Sequence, residues 1–425
     1  MDDHLKPLVA IVGGGPAGLF AAEILLEAGL RVHIFDQMPT AARKFLMAGR
    51  GGLNITHSED RGHFLSRYAA GGGWLAPMLD AFPPSRLQDW SEGLGEPTLV
   101  GSSGRVFPRS MKASPLLRAW LRRLDQLGAV FHSRHRWNGW DAHDRLIFST
   151  ETGITRLVDP AASLLALGGA SWPRLGSDGV WVGALRSRGV DVNVLQSANC
   201  GFDVDWSPVF ADRFAGTPLK NIAVSTGDAK MRGEAMITAR GIEGHVIYAL
   251  SANLRQKLFA HGAVPITIDL RPDVDEAALT KRLDHPRGKQ SMSNFLRKRV
   301  KLSAVEFNLM REVHGRSTGI SAPDLAWQIK NIPLTLKDIA SISRAISSAG
   351  GIAQHTVTDD LELSAIPNMF VAGEMLDWDA PTGGYLLQAT FATACWAANG
   401  ILKKFGKADL LAPRWEWSTL SEKSR

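Results

Sequence analysis

Six residues near the start of the chain, Gly13-Gly14-Gly15-Pro16-Ala17-Gly18, have the types and spacing to cradle a phosphate. With 42 glycines among 425 residues, three at that spacing arise by accident about 0.4 times, so spacing alone decides nothing. The setting decides more. Leu8 to Val12 reads as a fully buried strand. Pro16 to Ala28 reads as a helix, with Pro16 suited to its first turn and Gly29 to its end. Arg31 to Phe35 reads as a second strand ending at Asp36, which completes one βαβ unit. In such a unit Gly13 makes the tight turn, Gly15 lets a pyrophosphate approach the backbone, and Gly18 lets the helix pack on the strand. The helix N-terminus, with Pro16 and Ala17 in its first turn, offers N–H groups and partial positive charge to the phosphates. Asp36 can accept hydrogen bonds from ribose hydroxyls and would repel a 2′-phosphate, which disfavours NADP in this site.

Other elements must complete the sheet that positions this turn. The apolar run Ala161 to Leu167 ends in Gly168-Gly169, and Met369 to Ala372 ends in Gly373-Glu374. Both read as buried strands running into glycine turns. A core strand so late in the chain implies that the C-terminal segment completes the first domain. Residues 113–127 read as a helix, residues 41–60 as irregular, and residues 129–158 as a small antiparallel meander. Residues 190–275 offer short alternating segments such as Asn221 to Ser225, and residues 276–345 are charged and helix-periodic. The expected fold is α/β: a Rossmann-like dinucleotide-binding domain over 1–190 and 350–425, an inserted β-rich, barrel-like domain over 191–275 and 320–349, and a small helical domain over 276–319.

The segments Val371-Ala372-Gly373-Glu374-Met375-Leu376-Asp377 and Pro381-Thr382-Gly383-Gly384-Tyr385-Leu386-Leu387-Gln388 carry a resemblance. They are similar to the FAD superfamily of glutathione-reductase type, and more narrowly to a bacterial family of NAD(P)/FAD-dependent oxidoreductases whose relatives include the flavoprotein of bile-acid 7-dehydroxylation. Gly104-Arg105-Val106-Phe107-Pro108, Leu165 to Gly169, and the run from Gly233-Glu234 through Thr238 and Gly241 to Gly244 extend it. The resemblance implies that the dinucleotide is FAD rather than NAD. It places Glu374 near the ribityl or pyrophosphate region, and Gly383, Gly384 and Tyr385 at the start of a helix aimed at the flavin pyrimidine. A helix N-terminus there would stabilise the negative charge of reduced flavin. Gln37, Lys44, Gly51, Asn54, Gly168 and Gly169 join the expected contacts. The loop Ala48-Gly49-Arg50-Gly51-Gly52-Leu53-Asn54-Ile55-Thr56-His57 departs from the family pattern. Leu53 stands where relatives carry cysteine, which excludes thiol chemistry, and Arg50 is displaced by two positions but remains a candidate phosphate contact. His245 stands where relatives often carry proline.

The expected activity is FAD-dependent oxidation–reduction, with NAD(P)H as transient donor and a small organic molecule as acceptor, an activated C=C bond among the options. No second G-x-G-x-x-G is present to bind the nicotinamide nucleotide. An oxidase or monooxygenase, an RNA-modifying flavoenzyme and a non-catalytic flavin-binding protein stand as alternatives. His57, His245 and Tyr385 are the candidate acid–base groups by position. Two distant cysteines, Cys200 and Cys395, exclude a disulfide framework and a cysteine-built zinc site, and suit a reducing cytoplasm. No metal is expected. The acidic start Met1-Asp2-Asp3 runs into a strand, unlike a secretory signal. Gln388, Thr390, Thr393 and Asn399 interrupt the apolar stretch Tyr385 to Leu402, so a buried helix is expected rather than a membrane span. The net charge is +6, and its densest stretch, Arg297-Lys298-Arg299 with Lys301, reads as one face of a helix, with nucleic acid the less favoured partner.

Overall fold

The computed structural model describes residues 6–48, 52–68, 71–315 and 319–407. The chain folds as two compact units, Met1–Gln196 with Ser347–Arg425, and Ser197–Ile346.

The first unit is built on a five-stranded parallel sheet in the order Met369–Val371, Ala162–Leu165, Leu8–Val12, Arg31–Asp36, Val130–Ser133. Its central strand, Val9 to Val12, is almost without exposure, as expected of a parallel strand covered on both faces. The late strand Met369–Val371 pairs with Ala162–Leu165, so the C-terminal segment does complete this sheet. Val130–Ser133 departs from expectation. It forms the edge of the parallel sheet rather than part of the meander. Arg134, with φ of +57°, turns the chain out of the sheet, and the antiparallel strands His135–Trp140, Leu146–Thr150 and Thr155–Val158 follow. Residues 41–60 are less irregular than expected, with the helix Arg43–Ala48 and a short strand Thr56–His57; the helix Arg61–Ser66 follows.

Two helices, Pro16–Glu27 and Tyr385–Lys404, pack on one another and are buried along most of their length. The polar residues of the second helix are accommodated locally. Gln388 Nε2 donates to Phe82 O at 2.6 Å, and the Thr390 and Thr393 hydroxyls donate to the carbonyls one turn back. Among the described residues no helix is long and apolar enough to cross a membrane.

Glu23, on the first helix, is 3% exposed. Its Oε2 accepts from Trp120 Nε1 at 2.7 Å and Trp90 Nε1 at 3.1 Å, and its Oε1 from Arg123 Nη1 at 2.8 Å. Glu23→Ala strands all three donors and is expected to cost about 3–5 kcal/mol. A fall in the urea midpoint at unchanged slope measures it; a loss below about 1 kcal/mol would mean that water replaces the carboxylate.

Beneath the antiparallel strands, Arg156 Nη1 donates to His132 Nδ1 at 3.1 Å, which leaves His132 Nε2–H to donate to His33 Nδ1 at 3.2 Å. Burial, then Arg156 and the neighbouring histidines, lowers the His132 pKa from 6.5 to about 4. The unfolded chain therefore takes up this proton before the folded one does as pH falls. The contribution to stability is complete above about pH 6.5 and declines toward pH 4. His132→Gln is expected to flatten that acid limb of the Tm–pH profile. A variant as acid-sensitive as the parent would contradict the assignment. Among the described residues no group of three or more His, Cys, Asp or Glu could hold a metal ion.

The second unit carries a seven-stranded antiparallel sheet in the order Ile332–Leu336, Val264–Asp269, Pro218–Thr226, Ala229–Ile237, Gly241–Glu243, Phe202–Asp203, Asp338–Ile339. Its first and last strands are consecutive in the chain. The helix His245–His261 lies inside the stretch expected to be β-rich. Its buried Val246, Ile247, Leu250, Leu254 and Leu258 have helical spacing, masked in sequence by the strands on either side. Helices Glu276–Leu283, Met292–Val300, Ala304–His314 and Ala322–Lys330 follow the strand Val264–Asp269.

Candidate functional site

Three glycine turns leave the carboxyl ends of adjacent parallel strands, after Val12, Leu165 and Val371. In open α/β sheets this edge is where ligands bind. Gly13 has φ of +110°, and a β-carbon there would overlap the Ala166 carbonyl of the neighbouring turn. A β-carbon on Gly18 would overlap the Gly13 carbonyl. Gly15 is different: no protein atom lies within 4 Å of where its β-carbon would stand. Gly15 also begins the helix Pro16–Glu27 with no side chain capping it, which leaves the first-turn N–H groups for a ligand. Ala17 reaches the third turn, its β-carbon 3.0 Å from where a Gly373 side chain would begin.

Asp36 shapes the turn. Its Oδ2 accepts from Gly14 N at 2.6 Å and its Oδ1 from Met38 N at 2.7 Å. Burial raises its pKa, and those two bonds oppose the rise. Next to it, Gln37 Nε2 donates to Gly176 O at 2.9 Å, and Gln37 Oε1 accepts from Arg136 Nη1 at 3.0 Å. Arg136 also pairs with Asp178 at 3.1 Å. Asp178 lies in the run Gly176-Ser177-Asp178-Gly179 that extends the resemblance, but Arg136 did not stand out in the sequence; a pairing partner 42 residues away leaves no local pattern.

Glu374 ties the second and third turns together. Its Oε2 accepts from Lys44 Nζ at 2.7 Å and Gly169 N at 3.3 Å, and its Oε1 from Ser348 N at 2.9 Å. Lys44 also donates to Ser171 Oγ at 2.5 Å. Lys44, Gly169 and Glu374, far apart in sequence, thus form one cluster. Gly168 O accepts from Trp181 Nε1 at 2.9 Å, which anchors that turn.

Gly384 begins the helix Tyr385–Lys404 at φ of +97°, again with no side-chain cap. A β-carbon there would lie 2.5 Å from Thr56 Cα, so the helix N-terminus sits directly on the Asn54–His57 loop. Asn54 Nδ2 donates to Thr56 O at 2.8 Å and Val106 O at 3.0 Å, fixing that loop to the strand Arg105–Pro108. The remaining polar atoms, Asn54 Oδ1 and Thr56 Oγ1, are buried and have no hydrogen-bond partner; the same holds for Ser177 Oγ beside Gly168. Buried polar atoms without partners are rare, and those beside the Gly168 turn and the Gly384 helix start could meet a bound polar group.

His57 stacks on Tyr385 with ring centroids 5.4 Å apart. Its Nε2–H donates to Ser103 O at 2.9 Å and its Nδ1 accepts from Glu59 N at 3.2 Å, so both nitrogens are engaged. Burial holds its pKa below the usual histidine value. Glu59 and Arg67 lie beside Tyr385, and burial, then Glu59, raises its pKa well above that of an ordinary tyrosine. Arg67 pairs with Glu59 through two bonds, one of them at 3.0 Å. Glu59 and Arg67 were not singled out in the sequence, where they are two charges on a polar stretch. His245 belongs to the second unit, at the start of the helix His245–His261. In that unit Thr238 Oγ1 accepts from Gly241 N at 2.9 Å and so closes a turn. Arg50 and Gly51 lie outside the described residues.

Residues 7–400 match the family described as HI0933-like protein Rossmann domain. Over 419 residues the chain is 24% identical to the 3-dehydro-bile acid delta(4,6)-reductase of Clostridium scindens, spanning 93% of this chain and 99% of that one. Over 414 residues it is 22% identical to the ribosomal RNA dihydrouridine synthase of Escherichia coli strain K12, spanning 91% and 96% respectively. The structure of 3-ketosteroid delta1-dehydrogenase from Sterolibacterium denitrificans shares the fold, with a TM-score of 0.52 and 12% identity over 94% of this chain and 100% of that one.

Proposed function

The chain belongs to this HI0933-like family of FAD-binding Rossmann proteins, and from that premise we propose that it is a reductase that saturates a C=C bond conjugated with a carbonyl group, with NAD(P)H as the electron donor. The observation that carries this reading is the convergence of three glycine turns and an uncapped helix N-terminus on one sheet edge. The names of two relatives supply the reaction class. A dehydro-bile acid delta(4,6)-reductase and a dihydrouridine synthase both add hydrogen across a C=C bond, and in a uracil ring that bond is conjugated with a carbonyl.

When bound, FAD supplies hydride transfer. The chain's residues do the rest. The turn Gly13–Gly18 and the N-terminus of the helix Pro16–Glu27 would hold the pyrophosphate. Asp36 keeps that turn in shape, and Gln37 with Arg136 would hold the adenosine end. Lys44 and Glu374 lock the second and third turns, with Gly168, Gly169 and Gly373 giving the backbone approach. Asn54, Thr56, Gly383 and Gly384 would hold the flavin ring, and the helix N-terminus at Tyr385 would stabilise negative charge on it.

Saturating a conjugated C=C bond needs a proton as well as a hydride. His57, its pKa lowered by burial, is uncharged near neutrality and has both nitrogens engaged, whereas Tyr385 keeps its hydroxyl proton, with Glu59 and Arg67 beside it. Tyr385 is the proton donor in this reading. Tyr385→Phe is expected to slow acceptor reduction about 100-fold while FAD content and reduction by the donor stay unchanged. An unchanged acceptor rate would reduce Tyr385 to an anchor for its helix. The donor is tested by anaerobic rapid mixing of the FAD-loaded protein with NADH and with NADPH. Loss of the oxidised flavin absorbance with one of them is expected; no loss with either would remove NAD(P)H from the account.

A further inference from the structure

Residues 281–301 of the second unit hold eight lysines and arginines against one carboxylate, Asp284, whereas the whole chain carries a net charge of only +6. The rest of the molecule is therefore close to neutral, and its basic character is concentrated in this one hairpin of helices. Two of the cations end the helix Glu276–Leu283, two lie in the connection, and Arg297, Lys298, Arg299 and Lys301 end the helix Met292–Val300. All eight are exposed. Among the described residues none of them forms an ion pair; Arg297 meets only Asn294 Oδ1, at 3.2 Å, and Arg287 only Gln290 O, at 2.5 Å. The helices themselves are ordinary. Phe295, Leu296 and Val300 are buried, and the charged residues take the outer positions.

Three successive cations on a helix point in directions about 100° apart, so Arg297 to Arg299 spread charge over a broad face rather than a stripe. Unpaired like charges repel one another, and a surface that only needs solubility mixes both signs. A single small anion would engage two or three of these groups, not eight spread over 21 residues. An extended polyanion engages them all, with release of its condensed counterions as the driving force. No large hydrophobic residue in the hairpin is exposed, so a membrane would be held by headgroup charge alone, without an inserted apolar face.

We propose that this hairpin is a docking surface for the phosphate backbone of RNA. The choice of RNA among polyanions rests on the reaction proposed above, because uracil offers the conjugated C=C bond that the reaction consumes. The surface itself rests on the charges alone.

The test uses the full-length, FAD-loaded protein and a fluorescein-labelled single-stranded RNA of mixed sequence, titrated at several salt concentrations, with vesicles of phosphatidylcholine and phosphatidylserine in parallel. Binding to RNA that weakens steeply with salt is expected. The triple variant Arg297→Gln, Lys298→Gln, Arg299→Gln changes exposed side chains only. It is expected to bind at least about tenfold more weakly and to reduce the salt slope by about 2, near the 0.7 per contact of single strands. Retained flavin absorbance and an unchanged melting temperature establish that the variant is folded. No RNA binding at low salt, binding that the triple variant leaves unchanged, or binding to the vesicles in preference to RNA would each overturn the proposal. RNA binding does not need a working flavin. A protein that binds RNA through this face but reduces nothing would keep the surface and lose the reaction, and a reductase with no RNA affinity would do the reverse.

Discussion

Gly15→Val protein is expected to fold normally and to lose FAD. Gly15 has φ of −80° and ψ of 179°, a conformation open to any residue, and no protein atom lies within 4 Å of its β-carbon position. The apoprotein should therefore change stability by no more than about 1 kcal/mol. The added side chain instead occupies the approach to the uncapped N–H groups of the helix Pro16–Glu27, where it would meet the pyrophosphate. A loss of affinity of about 100-fold, or roughly 2.7 kcal/mol, is expected in an FAD titration of apoprotein. The neighbouring positions make the contrast. A side chain on Gly13 or Gly18 overlaps backbone carbonyls of the protein itself, so those substitutions are expected to damage the fold as well as the site. A Gly15→Val protein that binds FAD as tightly as the parent would remove the turn from the cofactor site.

Glu374→Ala is expected to give the largest change in stability among the site residues. It removes the acceptor of Lys44 Nζ, Gly169 N and Ser348 N at once and unties two of the three turns. The ion pair is partly shielded, with side-chain exposures of 28% for Lys44 and 17% for Glu374, so the loss is set at about 2–3 kcal/mol rather than at the figure for a fully buried pair. Lys44→Met in the same background should return part of it, because the stranded ammonium goes too. A double-mutant cycle in urea should give a coupling energy above about 1 kcal/mol. Additivity within about 0.3 kcal/mol would mean that Lys44 and Glu374 act separately.

What the sequence disclosed of this architecture follows from local physics. Runs such as Leu8 to Val12 and Met369 to Val371 have no polar residue, and only a strand covered on both faces suits them. The glycines announced sharp turns, and Asp36 announced the end of the second strand. The strand Val130–Ser133 was harder to place because only pairing with His33 to Asp36, about 100 residues earlier, distinguishes it from the meander that follows. The helix His245–His261 had the right apolar spacing but sat among strands. At the site, Lys44, Glu374, Gly169, Asn54 and Tyr385 were named from the chain, and the fold brings each into contact with one of the turns or loops described above. Arg136, Ser171, Ser348, Glu59 and Arg67 were not, because each acts through a partner that the fold, not the sequence, places beside it. The charge of residues 281–301 was legible only in part. Arg297 to Lys301 read as one face of a helix, but that all eight cations are exposed and unpaired required the structure.

The central claim concerns where the hydride goes, and it can be measured without knowing the donor. The bound FAD is reduced by light or dithionite in the absence of air, and the protein is then mixed with an acceptor whose C=C bond is conjugated with a carbonyl, such as a dienone steroid or a uridine-containing RNA. The account predicts that the oxidised flavin spectrum returns and that the acceptor gains two hydrogens across the C=C bond, one of them from solvent. A flavin that stays reduced with every such acceptor, and is reoxidised only when oxygen is admitted, would contradict it.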